Sequence, residues 1–228
     1  MPFRLRYRMR FLYDENAGAS ELCLKGEPFC HLKVRHTKVG ESLNLRNLRD
    51  DFLYTYKLNA LGRNSCTLIL EQKTLAKAKR SNLSLAAGII EPKVLERILP
   101  TLNEFGLGRL ILVYTHFSQG NFVLDFERLR RILISSCEQC GRADIMRFEC
   151  FESTKEFAKA YPNAIMVDFS GEVDEFNSVC EDDIFFIGAE GGFTDGERAL
   201  FERKIKLKSP NILRSQSALV AVAAKILL

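Results

Sequence analysis

The chain has 228 residues, of which 46% are hydrophobic and 27% charged, the composition of an ordinary folded protein with room for one large domain or two modest ones. Its most apolar segment, residues 218–228, is broken by Lys225 and falls short of the roughly 18 apolar residues of a membrane helix. The start Met-Pro-Phe-Arg-Leu-Arg-Tyr-Arg is basic but lacks the apolar core, about 7 to 15 residues, of a secretory signal, so the expectation is a cytoplasmic protein without a membrane span.

The net charge of +4 is the sum of two unlike parts. Residues 1–80 hold 16 Lys and Arg against 8 Asp and Glu, whereas residues 81–228 hold 17 against 21. A basic first third ahead of a mildly acidic body suggests a unit that meets a polyanion, with nucleic acid as the leading candidate; a basic face that only solvates the protein is the competing explanation. The seven cysteines are odd in number and scattered, a pattern of reduced thiols. Cys137-Glu-Gln-Cys140 has the spacing of a zinc or redox pair, but no second pair completes a four-ligand set, and it ends a helical pattern where a redox site would open one. No metal is expected.

In chain order, the first part reads as short strands: 10–13, a strand around Leu43 and Leu45, then 51–61 with Phe52, Tyr54 and Tyr56 at period two, and 67–70. Turns fall at Gly40 and Gly62, and 27–36 suits a short helix. These elements compose a small β-barrel-like unit, and the lysine-rich 72–80 reads as a linker. From Asn82 strands and helices alternate. A strand at 83–90 precedes a helix opened by Pro92, with Val94, Ile98, Leu102 and Phe105 on one face. A buried strand at 109–114 precedes a helix over 124–139 carrying the stripe Phe126, Leu129, Leu133 and Cys137. Strands follow at 145–151, 165–169 and 184–187. Ser153-Thr-Lys-Glu156 and Thr194-Asp-Gly-Glu197 have the form of capping boxes, the second opening a helix to about Lys206. Ser215 is expected to cap a final helix, 216–228, apolar nearly all round and therefore buried. The alternation implies a mostly parallel α/β sheet over 82–228.

Two junctions could carry chemistry. Residues 184–194, Ile-Phe-Phe-Ile-Gly-Ala-Glu-Gly-Gly-Phe-Thr, run a strand into a glycine turn and a capped helix, the place where open α/β sheets bind ligands. The turn lacks the lysine of a phosphate loop and sets Glu190 where a phosphate would sit, which favours a neutral or cationic ligand; a plain turn between strand and helix is the alternative. Residues 209–218, Ser-Pro-Asn-Ile-Leu-Arg-Ser-Gln-Ser-Ala, bring Arg214 to a helix start, where it could also serve only as an ion-pair partner.

Three segments, Cys137-Glu-Gln-Cys-Gly-Arg142, Gly188-Ala-Glu-Gly-Gly192 and Ile212-Leu-Arg-Ser-Gln-Ser-Ala218, resemble in order and spacing the motifs of the 16S rRNA (uracil-N3)-methyltransferases of the SPOUT superfamily. Met9 to Tyr13 and His31 to Arg35, followed by Val39-Gly-Glu41, look like that family's first domain. The chain departs from the pattern at Ala189, where proline is usual, at Gln216, where glutamate is usual, and at Pro100-Thr101; residues 1–8 have no counterpart.

The resemblance implies an α/β fold in which an N-terminal PUA-like β-barrel (1–75) precedes a SPOUT-type parallel α/β domain (76–228) with a C-terminal trefoil knot, usually as a homodimer. It further implies S-adenosylmethionine as methyl donor and N3 of a uridine in the decoding region of 16S rRNA, in the small ribosomal subunit, as acceptor. Arg214 would be catalytic, its charge opposing the negative charge that gathers on the uracil oxygens as the N3 proton leaves. Asp168, Gly188, Glu190, Gly191, Gly192, Ser209, Ile212, Leu213 and Ser215 would line the cofactor pocket. Arg10, Lys33, Arg35, Lys38 and Arg142 would meet RNA, with Arg142 alternatively a cation complementing a helix end. Two other classes compete: a non-catalytic RNA-binding ribosome-assembly protein with the same fold, suggested by Ala189 and Gln216, and an unrelated nucleotide-binding α/β enzyme, suggested by the glycine turn alone.

Overall fold

The computed structural model describes residues 10–34, 36–77, 81–120, 122–174, 180 and 183–228. They pack as two compact units, one drawn from Met1–Lys79 and Ile134–Ile145, the other from Arg80–Leu133 and Met146–Leu228.

In the first unit the elements are β1 (Leu12–Tyr13), β2 (Glu21–Lys25), α1 (Gly26–Val34), β3 (Ser42–Arg46), β4 (Phe52–Leu61) and β5 (Ser65–Leu75). The strands form one sheet in the order β1-β3-β4-β5-β2, antiparallel except where β1 lies parallel to β3. Period-two alternation turns Tyr54, Tyr56 and Leu58 of β4 and Leu22 and Leu24 of β2 into a core closed by Phe29 and Leu32 of α1. Burying a tyrosine requires a partner for its hydroxyl; Tyr56 Oη donates to the Ala19 carbonyl at 2.7 Å and accepts from Gly18 N at 2.8 Å.

One expectation is corrected here, and one strand is added. The stretch from Gln72 is not all linker, because β5 continues to Leu75 with Gln72 and Lys73 paired against Thr55 and Tyr54. Ladder hydrogen bonds hold this polar half in place, and the Lys73 ammonium lies 3.8 Å from the centre of the Phe52 ring. The alternation Glu-Leu-Cys-Leu-Lys of β2, not anticipated, supplies the other flank of β5.

The second unit carries β6 (Ser84–Gly88), α2 (Pro92–Phe105), β7 (Arg109–Val113), α3 (Phe126–Cys140), β8 (Arg147–Phe151), α4 (Thr154–Ala160), β9 (Ile165–Asp174), β10 (Ile184–Ile187), α5 (Asp195–Arg198), β11 (Lys204–Leu207) and α6 (Ser215–Leu227). The last turns of α3 fall in the first unit. There Cys137 is buried with Phe11 and Leu48, and Arg10 N and Tyr13 N donate to the backbone and side-chain oxygens of Glu138 at 2.8 and 2.7 Å. The six strands of the second sheet run β11-β9-β10-β6-β7-β8, every neighbouring pair parallel. The parallel α/β organisation expected beyond Asn82 is therefore present. One side of the sheet is packed by an aromatic cluster in which the Phe157 ring meets Phe186 at 4.7 Å, Tyr161 at 5.5 Å and Phe201 at 6.0 Å.

Several helices differ from the sequence expectation. The buried residues of α2 are Leu95, Leu99, Leu102 and Asn103, a face one residue round from Val94 and Ile98, and the helix packs against α6. Helix α5 stops at Arg198; Phe201 then turns into the aromatic cluster and the chain resumes as β11, so no helix reaches Lys206. Ser153 accepts from Glu156 N, but the Glu156 carboxylate takes its amide from Glu152 rather than from Ser153, half of the expected capping box. Helix α6 is buried along Ser215, Ala218, Leu219, Val222 and Ala223, while Val220, Ala221 and Leu227 remain partly open, so its apolar circumference is not wholly covered within this chain.

Candidate functional site

The pocket forms where β10 ends and where β9, which runs on to Asp174 rather than ending at Phe169 as the sequence suggests, breaks its register. After Val167, paired with Ile187 of β10, β9 loses its β11 register between Met166 and Glu172, and the loosened stretch brings Asp168 and Phe169 to the pocket wall. A Cβ on Gly171 would stand 2.5 Å from Ile205 N, so the chain can rejoin β11 this closely only with glycine at that position.

On the other side, β10 ends at Ile187 and enters the turn Gly188 to Phe193. Gly192 N donates to the Ala189 carbonyl at 2.9 Å, and Gly192 has φ of +73°, the left-handed region glycine occupies without strain. The turn lies directly on the neighbouring strand: a Cβ on Gly88 of β6 would be 2.4 Å from Ala189 N. Thr194 then opens α5 with a complete capping box, accepting from Glu197 N while the Glu197 carboxylate accepts from Thr194 N at 2.9 Å. The same carboxylate accepts from Thr154 Oγ1 at 2.6 Å and from His116 N at 2.9 Å. Burial pushes Glu197 up, but these hydrogen bonds outweigh it and hold the carboxyl below the usual range.

All nine residues expected to hold a cofactor, from Asp168 and the Gly188 turn to Ser209, Ile212, Leu213 and Ser215, line this one pocket. Glu190 and Ile212 are exposed, Gly188 and Ser215 buried. Ser215 does not cap α6. Its hydroxyl donates to the Gly188 carbonyl and ties the helix start to the glycine turn, while Arg214 takes the N-cap position with an extended backbone. Arg214 is exposed and makes no salt bridge among the described residues. Asp168 has a different setting from the rest. Its side chain is only 4% exposed and is gripped by Arg198 at 3.0 and 3.2 Å and by Ser170 N and Oγ at 2.9 and 2.6 Å. Burial raises it, and Arg198 with Ser170 more than reverses this, leaving the carboxyl below its ordinary value.

Sequence reasoning missed Phe169, Arg198, Lys206 and Asn211 of the pocket wall. Phe169 carried one signal, Gly171 two residues on, whereas Lys206 was hidden by the assignment of its segment to a helix. Of the basic residues, Arg10, Lys33 and Lys38 are exposed in the first unit, and the Lys33 ammonium donates to the Arg63 carbonyl at 2.6 Å. Arg142 in the same unit buries its guanidinium against Asp144 at 3.0 and 3.1 Å, with 8% of the side chain exposed. Arg35 lies outside the described residues. Cys137 of the cysteine pair is in the core and donates to the Asp144 carbonyl at 3.3 Å, while Cys140 is exposed.

Residues 77–227 match the family model described as RNA methyltransferase domain. The chain is 42% identical over 223 residues to ribosomal RNA small subunit methyltransferase E of Helicobacter pylori, covering 95% of this chain and 98% of that protein. It is 26% identical over 236 residues to the protein of the same name from Rickettsia conorii, covering 97% and 96%. Among solved structures, ribosomal RNA small subunit methyltransferase E from Neisseria gonorrhoeae, bound to S-adenosyl methionine, superposes with a TM-score of 0.78 at 19% identity, covering 95% and 96% of the two chains. With the family model matching more than half of its length and a relative of this identity running along nearly all of it, the chain belongs to the RNA methyltransferase domain family.

Proposed function

We propose that this protein transfers a methyl group from S-adenosylmethionine to N3 of a uridine in the decoding region of 16S rRNA, acting on the small ribosomal subunit in the cytoplasm. The observation that carries the proposal is the pocket at the end of β10 and the break in β9, where the glycine turn meets Ser209, Asn211, Ile212, Leu213 and Ser215, with Arg214 not in the wall itself but between two residues that are. The pocket suits the donor. Its walls combine backbone and apolar side chains, with Phe169 and Ile212 open to an adenine ring; of its two cations Arg198 is paired with Asp168 and Asp195, Lys206 lies on the β11 side, and the glycine turn itself bears the exposed carboxylate of Glu190.

When bound, S-adenosylmethionine supplies an electrophilic methyl carried on a sulfonium. The chain's own part is alignment and charge. The backbone of Gly188, Gly191, Ile212 and Leu213 holds the ligand, with Gly192, Ser209 and Ser215 closing the wall and Asp168 fixing it through Arg198. Glu190 favours the cationic centre. Arg214 faces the acceptor and stabilises the negative charge that develops on uracil O2 and O4 as the N3 proton departs to solvent or to a nearby base. Methyl transfer leaves a neutral thioether and an N3-methylated uracil.

Residues 1–75 are proposed as a PUA-like barrel that captures RNA through Arg10, Lys33, Arg35 and Lys38, with Arg142, held by Asp144, in the same unit. A C-terminal trefoil knot in the second domain is proposed from the motif resemblance, and α6 is the segment that would follow the threading, packed on α2, β6 and β10. A homodimer is supported by the apolar outer side of α6, where Val220, Ala221 and Leu227 stay partly open. Mapping N3-methyluridine in 16S rRNA from cells with and without the gene tests the assignment; an unchanged map defeats it. Calorimetry with S-adenosylmethionine separates the enzyme from a non-catalytic assembly protein, which would show no binding.

A further inference from the structure

Phe117 sits in the turn that follows β7, and its side chain is divided in its contacts. Its inner atoms lie on the glycine turn of the pocket, where a Cβ on Gly191 would come within 2.7 Å of Phe117 Cβ and Cγ. The residue as a whole is nonetheless 45% exposed. A phenylalanine that only filled the space beside Gly191 would be buried there, as Phe193 of the same loop is.

The turn that carries it is tightly held. Ser118 N donates to the Thr115 carbonyl at 3.0 Å, Thr115 N donates to Ser118 Oγ at 3.1 Å, and the two hydroxyls are 3.0 Å apart. His116 N donates to Glu197 Oε1 at 2.9 Å. Because Glu197 is also the capping-box partner of Thr194, one buried carboxylate fixes both the aromatic turn and the helix start behind the glycine turn. The exposed His116 ring backs Phe117 edge to face, 5.0 Å between centres at 85°. An aromatic surface is thus held rigid and open at the rim of the proposed methyl-donor pocket.

A ring nitrogen inside an RNA stack is out of reach of any enzyme until its base is unstacked, and aromatic side chains receive bases displaced in this way. We propose that Phe117, backed by His116, is the platform on which a base of the RNA substrate stacks as the target uridine enters the site, an inference that rests on the RNA methylation proposed above. The phenyl ring carries no donor or acceptor, and the two nitrogens of the imidazole behind it point in different directions and cannot both pair with one base edge. The platform therefore grips any base and adds little to sequence choice.

The chain contains no tryptophan, so Phe117→Trp places its one indole at the platform, excited apart from the tyrosines at the red edge of absorption. Its emission should be quenched when an RNA oligonucleotide containing the unpaired target uridine is added, and unchanged by S-adenosylmethionine alone. Phe117→Leu should lower single-turnover methylation of the same RNA by about 10- to 100-fold with S-adenosylmethionine affinity unchanged, and Phe117→Tyr should restore the rate. The proposal is overturned if RNA binds, as read by anisotropy, without altering the emission of the introduced indole, if Phe117→Leu methylates at the wild-type rate, or if that variant loses donor affinity in parallel. A concentration-dependent blue shift without RNA would overturn it in favour of a second copy covering the ring. Wild-type protein that binds S-adenosylmethionine but neither binds nor methylates RNA would instead defeat the RNA methylation itself, a result seen before any variant is made.

Discussion

Thr154 and Glu197, 43 residues apart, are joined by a hydrogen bond of 2.6 Å from the Thr154 hydroxyl to the Glu197 carboxylate. It ties the first turn of α4 to the capping box of α5, and the amide of His116 reaches the same oxygen from the turn after β7. Three segments remote in sequence thereby meet on one buried carboxylate.

Replacing Glu197 with Gln keeps the shape but puts a donor where acceptors are needed. A buried, charge-assisted network loses about 2–3 kcal/mol on such a change. The urea midpoint should fall accordingly, and hydrogen exchange should speed at His116 and Thr194 together; acceleration at only one of them would break the link between the two segments.

Asp168 and Glu197 both have carboxyls held below their ordinary values. A group depressed in the folded state contributes stability that is complete above its unfolded pKa, about 4, and that is lost as pH falls through the lower folded value. Stability should therefore be flat from neutrality to about pH 5 and drop below about pH 4. Asp168→Asn should be less stable at neutral pH and show a shallower acid loss, measured by urea titration at each pH.

Gly88→Ala would set a Cβ 2.4 Å from Ala189 N. Neither backbone has a flexible end to give, so the glycine turn must move. The expected cost is about 1–3 kcal/mol of stability, with a clear loss of S-adenosylmethionine affinity by calorimetry. Gly120→Ala, with nothing within 4 Å of the added carbon, is the control and should change neither.

Arg214→Ala removes a cation that neither a salt bridge among the described residues nor the helix cap depends on, since its side chain makes no cap hydrogen bond. Donor affinity should stay close to wild type while single-turnover methylation falls by roughly 100-fold. Unchanged turnover would remove Arg214 from the chemistry.

For RNA capture, affinity should fall steeply with salt, because each neutralised phosphate releases a counterion. Removing Lys33 or Lys38, both exposed, should lower the slope of log affinity against log salt by about 0.7–0.9 for each phosphate that the removed side chain neutralises, read by filter binding across a salt series.

Much of the site is legible in the sequence alone, because glycines, capping residues and a strand ending in a turn are local signals. The strand Ile184–Ile187, the turn to Phe193 and the capping box at Thr194 all lie where the sequence places them. What escaped depends on tertiary partners. Lys204–Leu207 is a strand only because β9 offers a free edge, and the stretch 199–206 after a good helix start is equally suited to continuing the helix. The second half of β5 has no apolar alternation, so only the β4 ladder reveals it. Asp168 reads in the sequence as a carboxyl at a strand end, but β9 continues past it to Asp174, and its lock on Arg198 requires the break in β9 that no periodicity announces.

The split membership of α3 has a practical corollary for anyone dividing this protein. The first unit is not a detachable cassette, because its boundary is crossed three times by the chain. A fragment ending at residue 79 would lack Cys137, leaving Phe11 and Leu48 without their cover, and would lose the Glu138 acceptors of Arg10 and Tyr13. Transplanting the basic unit onto another protein would succeed only if residues 134–145 travelled with it, as a separate peptide or by circular permutation.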